Sequence, residues 1–256
     1  MEPLSETQVI QNLRQTEDPS AQYYAAWWLG KMRSRHPDAI PLLLDTLGAL
    51  DDTPVDPDRR GVALNAIRAL GLLKDQRADA PLRDRLQSND YNVREEAARS
   101  LGTMGSPAAA GAIRSLLASG VEGAGGEQPS SPLLQEPCEA LLEALGDIGI
   151  NDAATLATLK PFTQHPRPLI CSAACRALLQ LTGDAHWGEQ LIQLLQHPEP
   201  LVRRGALLDL GATGWTAAVP TIRAAAVEPS LKLVALRGLA ETSGDPQVLD
   251  VMDALL

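Results

Sequence analysis

Aromatic side chains are scarce. The 256 residues include one Phe, three Tyr and four Trp, 3% in all, against 45% hydrophobic residues overall. The core must therefore be aliphatic, and the many small Ala residues suit closely packed helices. Cations are outnumbered: 22 Lys and Arg face 32 Asp and Glu, giving a net charge of −10 and a pI near 4.9. That balance argues against binding a nucleic-acid backbone, which needs clustered Lys and Arg, and against an anionic membrane surface. No apolar run approaches the roughly 18 residues of a membrane span. The opening Met1-Glu2-Pro3-Leu4-Ser5-Glu6 is too acidic and polar for a signal or transit peptide. Three Cys cannot all pair within one chain, so reduced thiols and a cytoplasmic location are expected. The sequence has no glycine-rich phosphate loop after a strand, no Gly-x-Ser-x-Gly and no zinc-ligand spacing. Cys171 and Cys175 lie one turn apart with only His165 nearby, too few ligands for a metal, and the thiols read as small core groups. His36, His165, His186 and His197 all fall at helix boundaries, so none reads as catalytic.

What the chain has instead is repetition. A frame of Ala-Ala-x-x-Leu-Gly returns along its length. Seven copies are anchored at Leu29, Leu70, Leu101, Leu145, Leu178, Leu210 and Leu239. Four of the six steps lie near 30 residues, and the two longer ones carry insertions, an acidic Pro-rich loop at 51–58 and a Gly-rich loop at 120–132. The Ala four residues before most anchors (Leu141 in the fourth copy) and the apolar residue eight before share a helix face with the anchor. No stretch alternates apolar and polar residues long enough to make a strand.

Turn and cap signals divide the chain into helices at 4–17, 21–33, 39–50, 59–73, 78–87, 91–104, 107–118, 133–148, 152–163, 169–181, 186–196, 200–212, 216–226, 230–241 and 246–255. Pro137 fits the first turn of a helix beginning near Glu136. Each unit is a helix, a tight turn and a second helix. Such a pair cannot bury its apolar stripe alone and must stack on its neighbours. The reading is all-α: an α-solenoid of about seven HEAT-like helix pairs forming a single domain over 1–256.

In such an array the anchored helices line the concave wall, and their remaining positions form ladders. Two before the anchor come Trp27, Arg68, Arg99, Glu143, Arg176, Leu208 and Arg237. Seven before it come Gln22, Ala63, Arg94, Cys138, Cys171, Arg203 and Lys232. These ladders predict a locally basic groove that attracts carboxylates. Arg94, Arg99, Arg203 and Arg204 are candidates to hold them, since guanidinium matches carboxylate geometry. The competing reading is internal pairing with Glu95, Glu96, Glu139 or Glu143.

Four of the seven Tyr and Trp side chains, Tyr23, Tyr24, Trp27 and Trp28, fall in six consecutive positions of the first full repeat. The equivalent segment of the third repeat, Arg94 to Gly102, carries charges there instead. Spacing of i, i+4 predicts stacking of Tyr23 on Trp27 and of Tyr24 on Trp28. The block reads as a flat wall for a conjugated ligand or an anchor for a partner. The plain alternative is core at the end of a solenoid.

Tyr23-Tyr24-Ala25-Ala26-Trp27-Trp28-Leu29-Gly30-Lys31 resembles the signature near the N-terminus of the E-type subunit of the E/F phycobilin lyases. Ser88 to Glu95, Gln135 to Gly146, Arg176 to Asp184 and Ser230 to Leu239 are similar to later segments of that family, though Cys138 replaces an expected Tyr and Leu179 an aromatic. The resemblance implies a heterodimer with an F-type subunit that attaches phycocyanobilin to a Cys of the phycocyanin α subunit. The thiol adds to the ethylidene group to give a thioether. The bilin is a substrate, and no resident cofactor or metal is implied. The resemblance directs the site search to Tyr23, Tyr24, Trp27, Trp28, Tyr91, Arg94, Arg99, Glu136, Arg203 and Arg204 for bilin or partner contact. Asp90 and Asp209 are candidate acids, able to accept from pyrrole N–H groups, although Asp90 also reads as a helix cap. The other function considered is a non-catalytic HEAT-repeat adaptor or chaperone handling phycobiliproteins in phycobilisome assembly or degradation.

Overall fold

The computed structural model describes residues 4–255. They form fifteen α-helices, and the only β pairing among them is one antiparallel bridge between Glu127 and Leu134. The chain divides into two compact units, with the boundary after Ile113. The first unit holds α1 (Glu6–Arg14), α2 (Pro19–Lys31), α3 (Ala39–Thr46), α4 (Pro57–Leu73), α5 (Asp79–Arg85) and α6 (Tyr91–Met104), and the boundary falls within α7 (Ala110–Leu117). The second holds α8 (Cys138–Ile148), α9 (Ala153–Leu159), α10 (Pro168–Thr182), α11 (Ala185–Leu194), α12 (Pro200–Ala212), α13 (Val219–Ala224), α14 (Pro229–Ser243) and α15 (Gln247–Asp253). No helix among the described residues is long and apolar enough to cross a membrane.

Local chemistry sets the helix starts. The Asp18 carboxylate accepts from the N–H groups of Ser20 and Ala21, which opens α2 with Pro19 already in its first turn. Asp56 and Pro57 do the same for α4, two residues earlier than its apolar pattern suggests. Helix α8 starts later than expected, at Cys138, because the preceding residues are held by the loop: the N–H groups of Gln135 and Glu136 donate to Gly126 and Ala124. Several first helices of the pairs are shorter than their patterns, with 3₁₀ turns at 76–78, 107–109, 160–164 and 216–218.

All seven anchor Leu residues are buried, none more than 1% exposed, and the residue four before each is equally enclosed. Within the first unit the anchored helices α2, α4 and α6 pack in succession. In the second unit α8, α10, α12 and α14 do so, with α11 and α13 backing α12 and α14. The Gly after the anchor is what permits this closeness. A Cβ on Gly71 would lie 2.7 Å from Ser100 Cα, and one on Gly211 would lie 2.6 Å from Ala235 Cα. The Leu-Gly frame is therefore a packing signature: Leu fills the core, and Gly lets the next backbone come into contact.

Both insertions are tied down. Asp51 pairs with Arg85, Asp52 with Arg59, and Asp56 caps α4, so the acidic loop is locally compensated. The Gly-rich segment, expected to be a loose loop, is instead stitched to the α9–α10 junction of its own unit. The His165 Nδ1 accepts from Arg167 N–H at 3.0 Å, which leaves the proton on Nε2 to donate to Gly125 O at 3.0 Å. Arg167 reaches Glu127 at 2.6 Å and Pro132 O at 2.7 Å. A Cβ on Gly125 would lie 2.8 Å from His165 Nε2, so that Gly serves close packing.

Candidate functional site

In the first unit, α2 turns Ala25, Ala26, Leu29 and Gly30 inward. Its outer face carries Tyr23, Tyr24 and Trp27, exposed by 48%, 44% and 46%, with Trp28 half-buried. The rings do not pair as the i, i+4 spacing predicts. Tyr24 meets Trp27 instead, with centroids 5.4 Å apart and planes tilted by 36°. Both i, i+3 and i, i+4 side chains are neighbours on a helix, and here the shorter spacing wins. Tyr23 leans towards α4, its ring 3.7 Å from where a Cβ on Gly61 would stand, and borders a cleft of about 270 Å³ lined by Pro19, Ser20, Pro57, Asp58 and Gly61. Asn65 on α4 donates to Tyr23 O at 3.2 Å. The packed face of α2 is complete without the three exposed rings.

Asp90 is the N-cap of α6, accepting from Asn92 and Val93 N–H, and both its oxygens are gripped by Arg60. The Arg60 hydrogen bond holds its carboxyl below the usual range. Asp90 thus has the bonding of a structural carboxylate. Arg94 donates to Ser88 O at 2.9 Å and lies 5.7 Å from the centre of the Tyr91 ring. Arg99 pairs with Glu95 at 3.4 Å.

The basic ladders are largely neutralised from within. On the ladders Arg68 pairs with Glu96 and Arg237 with Glu241; Arg204, next to the ladder residue Arg203, pairs with Glu228. At Arg176 acid exceeds base. Its guanidinium lies 2.8 Å from Asp147, 3.5 Å from Asp209 and 3.7 Å from Glu143. Burial opposes the Arg176 charge, but the three carboxylates outweigh it and raise its pKa. Asp209, 7% exposed, also accepts from Ser172 Oγ. Burial pushes its carboxyl up to about 6, with Arg176 pulling down and Glu143 adding to the rise. Of the two candidate acids, Asp209 is the one whose carboxyl is pushed up and Asp90 the one held down.

The sequence held a signal for this network that the ladders did not use. The position one before the anchor carries Ala69, Ser100, Ala144, Ala177 and Gly238, all small, because it faces a neighbouring helix. Only Trp28 and Asp209 break that column. Ser172, Asp147 and Arg60 were not singled out, since a partner 29 to 37 residues away leaves no mark on local spacing.

The three thiols fit no nucleophilic role. Burial pushes Cys138 and Cys175 up to about 12 and raises Cys171. Cys171 Sγ donates to His165 O at 2.9 Å. A thiol so protonated is a poor nucleophile. Among the described residues no three His, Cys, Asp or Glu side chains converge as metal ligands. Glu136 enters the second unit at the foot of α8, its N–H donating to Ala124 O at 3.0 Å. Arg203 and Arg204 lie near the N-terminus of α12.

Comparison with known proteins agrees with this architecture from end to end. Residues 55–123 match HEAT repeats, and residues 21–50 and 202–228 match the PBS lyase HEAT-like repeat. The chain is 59% identical over 254 residues to the bilin biosynthesis protein RpcE of Synechococcus sp. (strain WH8020), spanning 99% of this chain and 96% of that protein. It is 43% identical over 261 residues to the phycocyanobilin lyase subunit alpha of Picosynechococcus sp. (strain ATCC 27264 / PCC 7002 / PR-6), spanning 97% and 95%. A chain in the complex of CpcE and CpcF of phycocyanin lyase from Nostoc sp. PCC7120 superposes with a TM-score of 0.85 at 39% identity, over 100% of this chain and 96% of that one. The aromatic helix and the buried acid of α12 thus belong to a member of the phycocyanobilin lyase alpha-subunit family.

Proposed function

We propose that this chain is the E-type subunit of a heterodimeric lyase that attaches phycocyanobilin to a cysteine of the phycocyanin α subunit, acting in the cytoplasm only with its F-type partner. The reading rests on kinship over the whole chain. The geometric observation that carries it is the exposed Tyr23, Tyr24 and Trp27 face of α2, which the fold itself does not need. A contiguous exposed aromatic patch marks an interaction site. The adaptor alternative has no observation of its own, since repeats alone serve both readings.

In the reaction the acceptor sulfur bonds to the ethylidene carbon and the thiol proton passes to the tetrapyrrole, so no oxidant is needed and nothing leaves. With thiols as buried as Cys138 and Cys175, the attacking sulfur belongs to the acceptor protein. The lyase then has to hold the bilin in one conformation, present it, and raise its electrophilicity by protonation. Phycocyanobilin is the substrate, and the chain requires no resident cofactor. Asp209 serves as the proton store, its protonated form favoured by burial and by Glu143 against the pull of Arg176.

Co-expression with the F-type partner, a bilin source and apo-phycocyanin α is expected to give covalently coloured α subunit. Absence of colour while a known lyase pair works in parallel would sink the reading. Asp209→Asn is expected to keep the fold and the Ser172 hydrogen bond but to slow attachment by roughly 10²-fold, the lower range for losing a general acid. Because the folded-state pKa of Asp209 is raised, its penalty grows as pH climbs from the unfolded value, near 4, through about 6. The Asn variant should therefore be the more stable protein above pH 7, with the gap closing towards pH 4. Urea midpoints across that range would check this.

A further inference from the structure

Helix α4 carries a glycine that packing does not require. At Gly30, Gly71 and Gly211 an added Cβ would lie 2.7 Å or less from a neighbouring Cα. At Gly61 it would meet only the Tyr23 ring, at 3.7 and 3.8 Å, which is ordinary contact. A glycine inside a helix weakens it relative to alanine. What Gly61 provides is space. The equivalent position of the fourth copy holds Glu136 and that of the sixth holds Leu201. With no side chain at Gly61, a cleft of about 270 Å³ stays open between the N-terminal ends of α2 and α4, lined also by Pro19, Ser20, Tyr23, Pro57 and Asp58. Its walls are fixed before anything enters. Gly30 brings α2 against the backbone of Ala69, and Asn65 holds Tyr23 O at 3.2 Å. The cleft is also negative. Each helix N-terminus contributes about half a positive charge, and the caps Asp18 and Asp56 more than answer the two ends. The adjacent cations Arg59 and Arg60 are committed to Asp52 and Asp90. Asp58, exposed on the cleft, has no ion pair among the described residues.

We propose that this cleft receives a lysine or arginine side chain, its cation beside Asp58 and the Tyr23 ring and its methylene stem along Pro19 and Pro57. On the reading of the chain as one half of a heterodimer, on which this pocket rests, that side chain comes from the F-type partner. Charge complementarity selects a cation, because a negative cleft on a chain of net charge −10 repels an acidic segment. Size selects a single side chain: about 270 Å³ falls below the roughly 300–1,000 Å³ usual for a whole small-molecule ligand. Position selects the partner, since the cleft is continuous through Tyr23 with the exposed face of Tyr24 and Trp27.

The experiment titrates the purified full chain with purified F-type partner, without bilin or acceptor, for wild type, Asp58→Asn, Asp58→Lys and Gly61→Leu, and records the Tm of each free chain. Asp58→Asn is expected to weaken the complex about fivefold at about 50 mM salt and less at about 500 mM, where the lost attraction is screened anyway. Asp58→Lys should weaken it further, because a like charge then faces the incoming cation. Gly61→Leu fills the cleft and should weaken the complex about tenfold at both salt concentrations, with Tm unchanged or raised. Asp58 also steadies the first turn of α4, so Gly61→Leu stands in as the test if the Asp58 variants lose Tm. Wild-type affinity in the Asp58 and Gly61 variants alike overturns the pocket while the heterodimer reading stands. Weakening by Gly61→Leu alone overturns the cation, by showing that an uncharged group enters. Normal complexes whose attachment activity falls overturn it too, by giving the cleft to the bilin or the acceptor. If the wild-type chain does not bind the partner, the heterodimer reading fails and the pocket with it.

Discussion

Arg176→Met is expected to lower the stability of the second unit by about 3–5 kcal/mol at pH 8, a drop in Tm of roughly 10 °C. Arg176 is the cation facing Glu143, Asp147 and Asp209, and its side chain is 14% exposed. Methionine keeps most of the volume, so little of the loss comes from packing. The loss comes from leaving three carboxylates near one another without their counter-charge. The direction with pH follows. Without the guanidinium, which pulls it down, the folded-state pKa of Asp209 rises further above its unfolded value. The variant then binds more protons folded than unfolded, and its deficit shrinks as pH falls from 8 towards 5. Adding Asp209→Asn to Arg176→Met should restore part of the loss at pH 8, because it removes the most buried of the three charges. Chemical denaturation at pH 5 and pH 8 measures both effects. A pH-independent loss would mean that packing, and not charge, is what Arg176 provides.

The same network shows what sequence reasoning reached and what it did not. The repeat register was fully legible: Leu in a recurring frame, Ala four before it and Gly one after it are local regularities, and every anchor they mark is buried. Asp90 as the cap of α6 was legible for the same reason, since a capping carboxylate and its N–H partners lie within three residues. Internal pairing of groove arginines with Glu95, Glu96 and Glu143 was one of the two readings and is what the fold shows, but which Arg meets which acid was not legible. Arg68 of the ladder pairs with Glu96, and Arg204 beside the ladder with Glu228, across neighbouring repeats 24 to 28 residues apart. The order of the Gly-rich insertion was hidden too. It depends on His165 and Arg167, whose roles appear only when the α9–α10 junction is folded beside it. Asp209 was named as a candidate acid, but its burial, which raises its pKa against the pull of Arg176 and Ser172, comes only from stacking α10 on α12.

Tyr24→Ala combined with Trp27→Ala is expected to weaken association with the F-type partner by about 30-fold or more, while leaving the fold intact. These are the two rings that touch each other on the open face of α2, and each is close to half exposed. The packed side of that helix is supplied by Ala25, Ala26, Leu29 and Gly30, none of which the double variant alters. Helicity and Tm should therefore change little, in contrast to Arg176→Met. Tyr and Trp are the residue types most enriched among interface hot spots, where one truncation costs about 2 kcal/mol or more, and 2 kcal/mol is a factor of roughly 30. Trp28 is left in place because it is half-buried, and its loss would mix a packing defect with an interface defect. The decisive measurement is attachment activity at rising partner concentration, with complex formation followed by size exclusion. Loss of interface alone predicts that activity recovers once the partner saturates the variant. Activity that stays low in a fully formed complex would move the rings from the partner interface to the bilin pocket. A variant that unfolds would show that the exposed rings hold α2 in place after all.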